Sequence, residues 1–493
     1  MAHPGRAVMA AMIIPALAFS TCALTSCSSV QPRNHEVRAV WMSRYDYAAG
    51  KTPRQSRDYI TAELERCRKA GVNTVIFQVR GQADALYRST LEPWSDLLTG
   101  ELGKDPGWDP LAFAIAAAHM RGMELHAWIN VFPAWKAGAA PPPATVPLHP
   151  YLAHPEWIVC DGSGARMSPR DGYISFNPAS PAVRAHVGAV VAEITGSYDI
   201  DGIHLDYIRY PDGASKYGYS RDRESLRLFS SPEGNPRGLA WDRWQMEQVN
   251  LTVAGLYRCA TGIKPWVKVS AAVLGHASGT PWNGIQSVYQ DARAWLEAGT
   301  VDMLFPMTYT STRTISAPYG LAIDQWKCML HYGRAIVPAV PAYKYGQKHY
   351  TMCEFNRQIG LIRDNAFQGV VFFSADGFAK IADRITARHF PAPALPAPMS
   401  WKQLDPPATP HPLFSKIENG YVILRWESDE RPARYALYEA ANDGRQGSLV
   451  EILPGYQTFC LVSKKQARKG LFVTAVNRAG AESCPVRLPR YFD

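Results

Sequence analysis

Beyond its first two dozen residues, the 493-residue sequence contains no apolar run of the roughly 20 residues that a membrane-spanning helix needs. Cysteine is sparse. There are nine, none in a CxxC and none in a Cys/His cluster with zinc spacing, so neither a disulfide framework nor a metal site is indicated. Cys460 and Cys484 share the C-terminal part and are the expected pair if any forms. No Gly-rich phosphate turn follows the first predicted strand, which counts against a doubly wound nucleotide-binding sheet. There is also no compact Lys/Arg run. The net charge of +9 comes from basic residues scattered among acidic ones. This reads as a solvated basic surface, attracted to polyanions of a cell envelope, with no nucleic acid partner expected. With 47% hydrophobic and 19% charged residues, most of the chain is expected to fold. No cofactor is called for.

What is present begins with an address. Arg6 precedes the apolar stretch Val8 to Phe19, which is too short to span a bilayer and fits the h-region of a secretory signal. Leu24-Thr25-Ser26-Cys27 follows and resembles a bacterial lipobox, so residues 1–27 read as a lipoprotein signal with Cys27 as the lipidated residue. Cys22 is a weaker alternative site, and a plain cleaved signal is the competing reading. Residues 28–35 then form a tether. The expected location is the bacterial envelope, lipid-anchored at the outer membrane.

From residue 36 to about 390, short apolar runs alternate with amphipathic helices, the signature of βα units around a parallel sheet. The predicted strands are 38–43, 73–80, 124–131, 202–208, 266–273, 301–309, 335–343 and 369–375. Helices are predicted over 57–70, 109–121, 182–198 and 245–261, with Gly71 and Gly122 ending the first two. Eight such units predict an α/β fold, a (β/α)8 TIM barrel. Long insertions follow strands three (133–181) and four (211–240), on the side where barrel loops build active sites. Residues 391–412 are Pro-rich and read as a stiff linker. Residues 413–493 change to short alternating runs with turn residues between them, the pattern of a small all-β sandwich.

Alternate residues of a barrel strand point inward. His204 and Asp206 therefore share a face of the fourth strand, with Asp206 near its C-terminal end. Asp206 is the first catalytic candidate, and Arg209 close behind it is expected to keep it ionised. Asp201 lies an odd number of residues away, so capping the strand or anchoring an Arg competes with a catalytic role. His126, Trp128 and Asn130 share a face of strand three; a satisfied inner-barrel histidine is the competing reading for His126. Gln78 and Arg80 share a face of strand two. Tyr309 ends strand six and either contacts the sugar or plugs the barrel. Glycoside hydrolysis generally uses two carboxyl groups. The partner for Asp206 is sought among Asp84 and Asp376 at strand ends, then Asp46 and Glu92 in nearby loops.

The runs Glu36 to Trp41, Asn73 to Arg80, Pro93 to Gly100, His126 to Asn130 and Asp201 to Pro211 resemble the glycosyl-hydrolase-like family 10 proteins of bacteria. The likeness covers essentially the whole barrel. It implies a TIM barrel, glycosidase activity and a polysaccharide substrate, with peptide-free peptidoglycan glycan strands cleaved by at least one branch. Asp201, Asp206, Tyr207, Asn130 and His126 fall on the family's motif positions. Strand alternation and these motif positions together give the expected substrate-binding set: Arg80, His126, Trp128, Asn130, Asp201, His204, Tyr207, Arg209 and Tyr309. The C-terminal runs resemble a fibronectin type III module. A weaker likeness is to chitinase-type barrels, in which an acid stands where this chain has Ile208. The expected function is a glycoside hydrolase of a bacterial envelope polysaccharide. A non-catalytic envelope glycan-binding lipoprotein is the alternative, and a lyase is a third reading.

Overall fold

The first two long barrel helices start where the sequence supplies a cap. In the computed structural model, which describes residues 33–489 except 137, 168–171, 415 and 420, Thr52 caps the helix Pro53–Lys69. Its hydroxyl accepts from the Gln55 N–H while the Gln55 side chain accepts from the Thr52 N–H. Asp109 caps the helix Pro110–His119 by accepting from the Ala112 N–H, without the reciprocal bond. Both have Pro at the first helical position, where no N–H is needed. Gly71 and Gly122 follow them at φ +76° and +68°, a backbone region that favours glycine. The predicted lipidation site Cys27, its alternative Cys22 and residues 28–32 of the tether lie outside the described residues.

Eight parallel strands close the barrel. They are Val37–Met42, Thr74–Arg80, Glu124–Asn130, Gly202–Asp206, Lys268–Leu274, Met303–Met307, a split seventh strand, and Gly369–Phe373. The seventh is one predicted strand broken at Pro338 into Ala335–Ile336 and Ala339–Val340. Proline cannot donate to a ladder, so the first half pairs with the sixth strand and the second half with the eighth. The eighth pairs with the first, Val37 opposite Gly369, which completes the circle. Trp41, Ile76, Trp128, Phe305, Val337 and Val371 fill the interior, and a second, larger apolar layer lies between strands and helices. Burial on both faces explains why the strands read as nearly continuous apolar runs.

The C-terminal strands form two four-stranded antiparallel sheets. One contains Arg434–Ala440, Gln446–Pro454, Leu471–Val476 and Val486–Arg487; the other contains His411–Pro412, Lys416–Glu418, Tyr421–Glu427 and Phe459–Ser463. Val422, Leu424, Trp426, Tyr435, Leu437 and Val473 pack between them. The burial of the strand Gln446–Pro454 does not alternate regularly, and register shifts interrupt its pairing with Arg434–Ala440. Cys460 and Cys484 do not pair. Both are free thiols, Cys460 in the sandwich core and Cys484 exposed.

The Pro-rich stretch is not a free spacer. Leu395, Ala397 and Met399 are buried, the Trp401 indole donates to Asp302 at 2.7 Å, and Lys402 pairs with the same carboxylate at 2.9 Å. The sandwich is thereby seated on the end of the barrel where the strands begin. Arg434 donates to the Gly122 carbonyl at 2.9 Å and to Glu124 at 3.2 Å. Arg478 reaches Asp201 at 3.1 Å and Asp199 at 2.6 Å. A Cβ at Gly122 would stand 3.3 Å from Ile452 of the sandwich, so the glycine also permits this close approach.

Candidate active site at the barrel mouth

The opposite end of the barrel, where the strands finish, is open. The fourth strand starts at Gly202, where a Cβ would lie 2.6 Å from the His126 ring. Only a residue without a side chain fits there. From this start, His204 and Asp206 point inward. His204 is fully buried; it accepts from Trp41 Nε1 at 3.1 Å and its Nδ1 lies 2.9 Å from Ser270 Oγ. Indole N–H only donates, so the proton of His204 sits on Nδ1 and points to Ser270. Burial, with His126 near by, pushes the His204 pKa well below the usual histidine range. His204 is a neutral post beneath Asp206, not a sugar contact.

Asp206 is 8% exposed at the top of this strand. Burial raises its pKa, opposed by Arg209, the Tyr207 N–H and the Trp128 indole. Arg209, with Nη1 3.8 Å away, lowers the Asp206 pKa as the sequence leads one to expect, but desolvation outweighs it and the net shift is upward. Tyr207 adopts φ +50°, a costly conformation for a bulky residue and a mark of a functional turn. Its ring lies 5.4 Å from that of Tyr173 and beneath the Arg209 guanidinium at 4.5 Å. Tyr309 stacks on Phe373 at 5.8 Å and meets the edge of Tyr343 at 5.9 Å. Burial and the nearby Asp206 raise the Tyr309 hydroxyl well above its ordinary pKa.

A cavity of about 480 Å³ continues from this floor over the ends of strands five to seven, lined by Arg209, His276, Trp282, Tyr309 and Lys344 among others. Trp282 is 44% exposed at its rim. Sequence reasoning missed Trp282, His276 and Lys344, which lie in loops after predicted strands and carry no spacing signal. It also missed Arg44, whose guanidinium donates to the Tyr45 and Tyr173 hydroxyls at 2.9 Å. Asp212, in the loop after strand four, acts electrostatically on Tyr207.

Several predicted contacts are used internally. Arg80 is fully buried in a bidentate pair with Glu92, both bonds 2.7 Å. Burial pushes Glu92 up, but Arg80 and His186 outweigh it and hold the carboxyl at about 2. Neither Arg80 nor Glu92 reaches the cleft. His126 is buried beside Glu124 at 3.2 Å, the inner-barrel alternative. Asn130 Oδ1 accepts from Trp128 at 3.0 Å and Gln78 at 3.3 Å, and its Nδ2 donates to the Gly81 carbonyl. It braces the mouth. Asp201 lies at the far end of the strand, bonded to His119, Arg478 and the Leu125 N–H, and is an anchor.

The two carboxylates sought as partners for Asp206 each have contacts of their own. Asp84 is 1% exposed and closes a turn by accepting from Gly81 and Gln82. Asp376 is exposed and accepts from Tyr59 of the first helix at 2.7 Å. Among the described residues, no carboxylate is one of the groups that shift Asp206. Asp376 instead shares a site with Asp46 and Glu63. Burial, then like charge from Asp376, raises Asp46 to about 6. Burial, opposed by Arg66 and reinforced by Asp376 and Asp46, raises Glu63 to about 7. Unfolded carboxyls titrate near 4, so the stability these protons confer is present below about pH 4 and is lost as pH rises to about 7. Glu63→Gln is therefore expected to raise the melting temperature more at pH 8 than at pH 5; an equal effect at both would show that Glu63 is not strained by its charge.

The family model for glycosyl hydrolase-like 10 matches residues 36–349. The chain is 28% identical over 456 residues to the glycosyl hydrolase YngK of Bacillus subtilis (strain 168), covering 83% of each chain. It is 26% identical over 353 residues to the glycosyl hydrolase DigH of Escherichia coli (strain K12), covering 65% of this chain and 76% of that one. The glycoside hydrolase domain of PgaB (BpsB) from Bordetella bronchiseptica superimposes with a TM-score of 0.49 at 14% identity, over 71% of this chain and 98% of that chain. With its family motifs set around a closed barrel and its mouth, the chain belongs to the glycosyl hydrolase-like 10 family.

Proposed function

We propose that the chain hydrolyses O-glycosidic bonds of a bacterial envelope polysaccharide, with peptide-free peptidoglycan glycan strands as substrate, while anchored to the outer membrane by a lipid on Cys27. The observation that carries this is Asp206, a carboxyl 8% exposed at the end of the fourth strand whose pKa burial raises, with Arg209 beside it lining an aromatic-rimmed cavity. Such a group suits a general acid. It donates its proton to the glycosidic oxygen as the bond from C1 to that oxygen breaks. No carboxylate among the described residues acts on Asp206, and the nucleophile is assigned to the substrate. The 2-acetamido carbonyl oxygen attacks C1, and the Asp206 carboxylate then takes a proton from the water that opens the resulting ring.

The test is mass spectrometry of products from peptide-free glycan strands treated with the chain from residue 28 onward. Cleaved N-acetylated oligosaccharides are expected. Strands retained without any new reducing end would favour the non-catalytic glycan-binding reading, which the lone carboxylate keeps in play. The anchor has its own check: Cys27→Ser is expected to abolish incorporation of labelled palmitate in cells.

Trp282 offers an exposed ring face to a sugar at the rim. Trp282→Ala is expected to raise KM about tenfold, ~1.4 kcal/mol, with kcat changed little, because stacking there serves ground and transition state alike. A fall in kcat with unchanged KM would place Trp282 at the reacting sugar instead.

A further inference from the structure

The cavity at the barrel mouth carries positive charge and no negative charge of its own. Its wall includes Arg209 and Lys344, and no Asp or Glu lines it among the described residues. Three neutral polar groups there are already engaged. Thr280 Oγ1 donates to the Trp282 carbonyl at 2.7 Å, Thr308 Oγ1 donates to the Ala339 carbonyl at 2.7 Å, and His276 Nε2 lies 3.0 Å from the Pro318 carbonyl. Two other polar atoms on lining residues are not engaged: Arg209 Nη1 and Thr310 Oγ1 are buried without a hydrogen-bond partner. Leaving a buried donor unpaired costs the desolvation of that group, and more when it is charged. Two such atoms on residues of one cavity mark a place for an acceptor that arrives with a ligand.

Both cations are held in place. The Arg209 side chain is 10% exposed, and its guanidinium lies over the Tyr207 ring at 4.5 Å. Asp206 Oδ1, 3.8 Å from Arg209 Nη1, is beyond hydrogen-bond length, and as the acid of the reaction it starts neutral. Asp212 acts on Tyr207 and does not line the cavity. Lys344 donates to the Tyr309 carbonyl at 2.9 Å and to the Tyr350 hydroxyl at 3.4 Å. Its ammonium lies 4.8 Å from the centre of the Tyr350 ring and 5.6 Å from that of Tyr343. Two of its three N–H groups are thereby used. Burial lowers the Lys344 pKa, and no carboxylate among the described residues opposes that shift.

We propose that this cavity binds a carboxylate carried by the glycan, with Arg209 and Lys344 as its counter-charges and Thr310 as a further donor, so that acidic strands are cut in preference to neutral ones. The proposal rests on the hydrolytic reading above and deepens it. In a peptide-free peptidoglycan strand, the lactyl group of each muramic acid ends in such a carboxylate. With a peptide attached, the same carbon belongs to an amide, which has no charge and brings a chain that the cavity must also hold. Arginine suits the carboxylate in shape, since a guanidinium presents paired N–H groups to two oxygens. A carboxylate on Arg209 also offsets the positive charge that lowers the Asp206 pKa, which keeps the acid protonated.

The test compares peptide-free strands with the same strands after carbodiimide coupling of their carboxylates to ammonia. The resulting primary amide matches the carboxylate in shape and carries no charge. The parent protein is expected to show a KM at least tenfold lower for the carboxylate strands. In Lys344→Met that ratio should fall to twofold or less, with an unchanged melting temperature as the check that the variant folds; Arg209→Met serves in its place if the melting temperature falls. Equal KM values for the two strands in the parent overturn the proposal and leave the hydrolytic reading standing. A ratio that survives the substitution also overturns it, by placing the recognition elsewhere. If neither strand is cleaved, the hydrolytic reading fails by itself, and calorimetric titration of the parent with each strand decides the inference. Carboxylate strands are then expected to bind at least tenfold more tightly, and equal binding, or none, overturns it.

Discussion

Asp206→Asn is expected to lower kcat on glycan strands about 1,000-fold, with KM nearly unchanged. A positioned general acid contributes about 10²–10⁴-fold, and 1,000-fold corresponds to ~4 kcal/mol of barrier. The amide keeps the shape of the carboxyl but has no proton to give. The pH profile separates this role from a merely structural one. A general acid works in its protonated form, so the parent rate should fall as pH rises through the raised Asp206 pKa. The residual rate of the variant should lack that alkaline limb. Arg209 opposes the upward shift of Asp206, so Arg209→Met should move the limb to higher pH. Stability supplies the control. Because burial disfavours the ionised carboxyl, the Asn variant should melt no lower than the parent at pH 8. A variant with full activity and an unchanged pH profile would remove Asp206 from the reaction.

Asp201→Ala is expected to destabilise the protein by ~3–5 kcal/mol in denaturant unfolding, the cost of removing one partner from a buried ionic cluster. Asp201 is 1% exposed and lies between His119 at 2.8 Å, Arg478 at 3.1 Å and Arg434 at 3.6 Å. Without it, the Arg434 guanidinium stays buried and keeps only Glu124 as an acidic partner. Arg478 is 22% exposed; it can turn to water, so Arg478→Met should cost far less, ~1 kcal/mol or below. The pH dependence has a definite sign. Burial pushes Asp201 up, but His119, Arg434 and Arg478 outweigh it and depress its pKa below the usual carboxylate range. Burial likewise opposes, and Lys268 and Arg434 overcome it, to hold Glu124 at about 2. Both folded-state values lie below the unfolded values near 4. Their stabilisation is complete above about pH 5 and is lost as pH falls toward 2. Asp201→Ala should flatten that acid limb. A loss under 1 kcal/mol, or an unchanged acid limb, would mean that this cluster does not fasten the sandwich to the barrel.

The family motif that begins at Asp201 spans both ends of the barrel. Asp201 precedes the strand and serves the seam with the sandwich; Asp206, five residues on, serves the cleft. A motif match alone treats the two aspartates alike. Their different roles come from strand geometry, since about 3.3 Å per residue places the second carboxyl roughly 16 Å from the first. Conserving such a run would preserve a fastening and a reactive group together.

The barrel was legible from the sequence because its periodicities are local. Apolar runs of 5–8 residues, capped helices and glycines at helix ends each reflect forces within a few residues, and the eight predicted strands all form. The predicted seventh strand, 335–343, covers both halves of the real one, and only Pro338 marked the break. The inward direction of His204 and Asp206 followed from alternation within one strand. The sequence was equally informative about Asp201, where an arginine anchor was weighed against catalysis; the arginines that hold it, Arg434 and Arg478, lie more than 200 residues away.

What only tertiary structure decided was which polar groups remain available for chemistry. Arg80, His126, Asn130 and Asp84 have the residue types of a sugar site, yet each is held by other groups: Arg80 by Glu92, His126 by Glu124, Asn130 by Trp128, Gln78 and Gly81, and Asp84 by the turn at Gly81 and Gln82. Asp206 ends one strand and Asp376 stands just past another, but the first is buried and the second is exposed against the first helix. Burial, the quantity that sets the protonation of Asp206 and the roles of the rest, is a sum over neighbours from every strand. The sequence alone determined the barrel, the order of its strands and the aspartate at the end of the fourth. The enclosure that turns one aspartate into an acid and leaves the others as braces is a property of the closed barrel, because desolvation depends on which distant segments exclude water from each carboxyl.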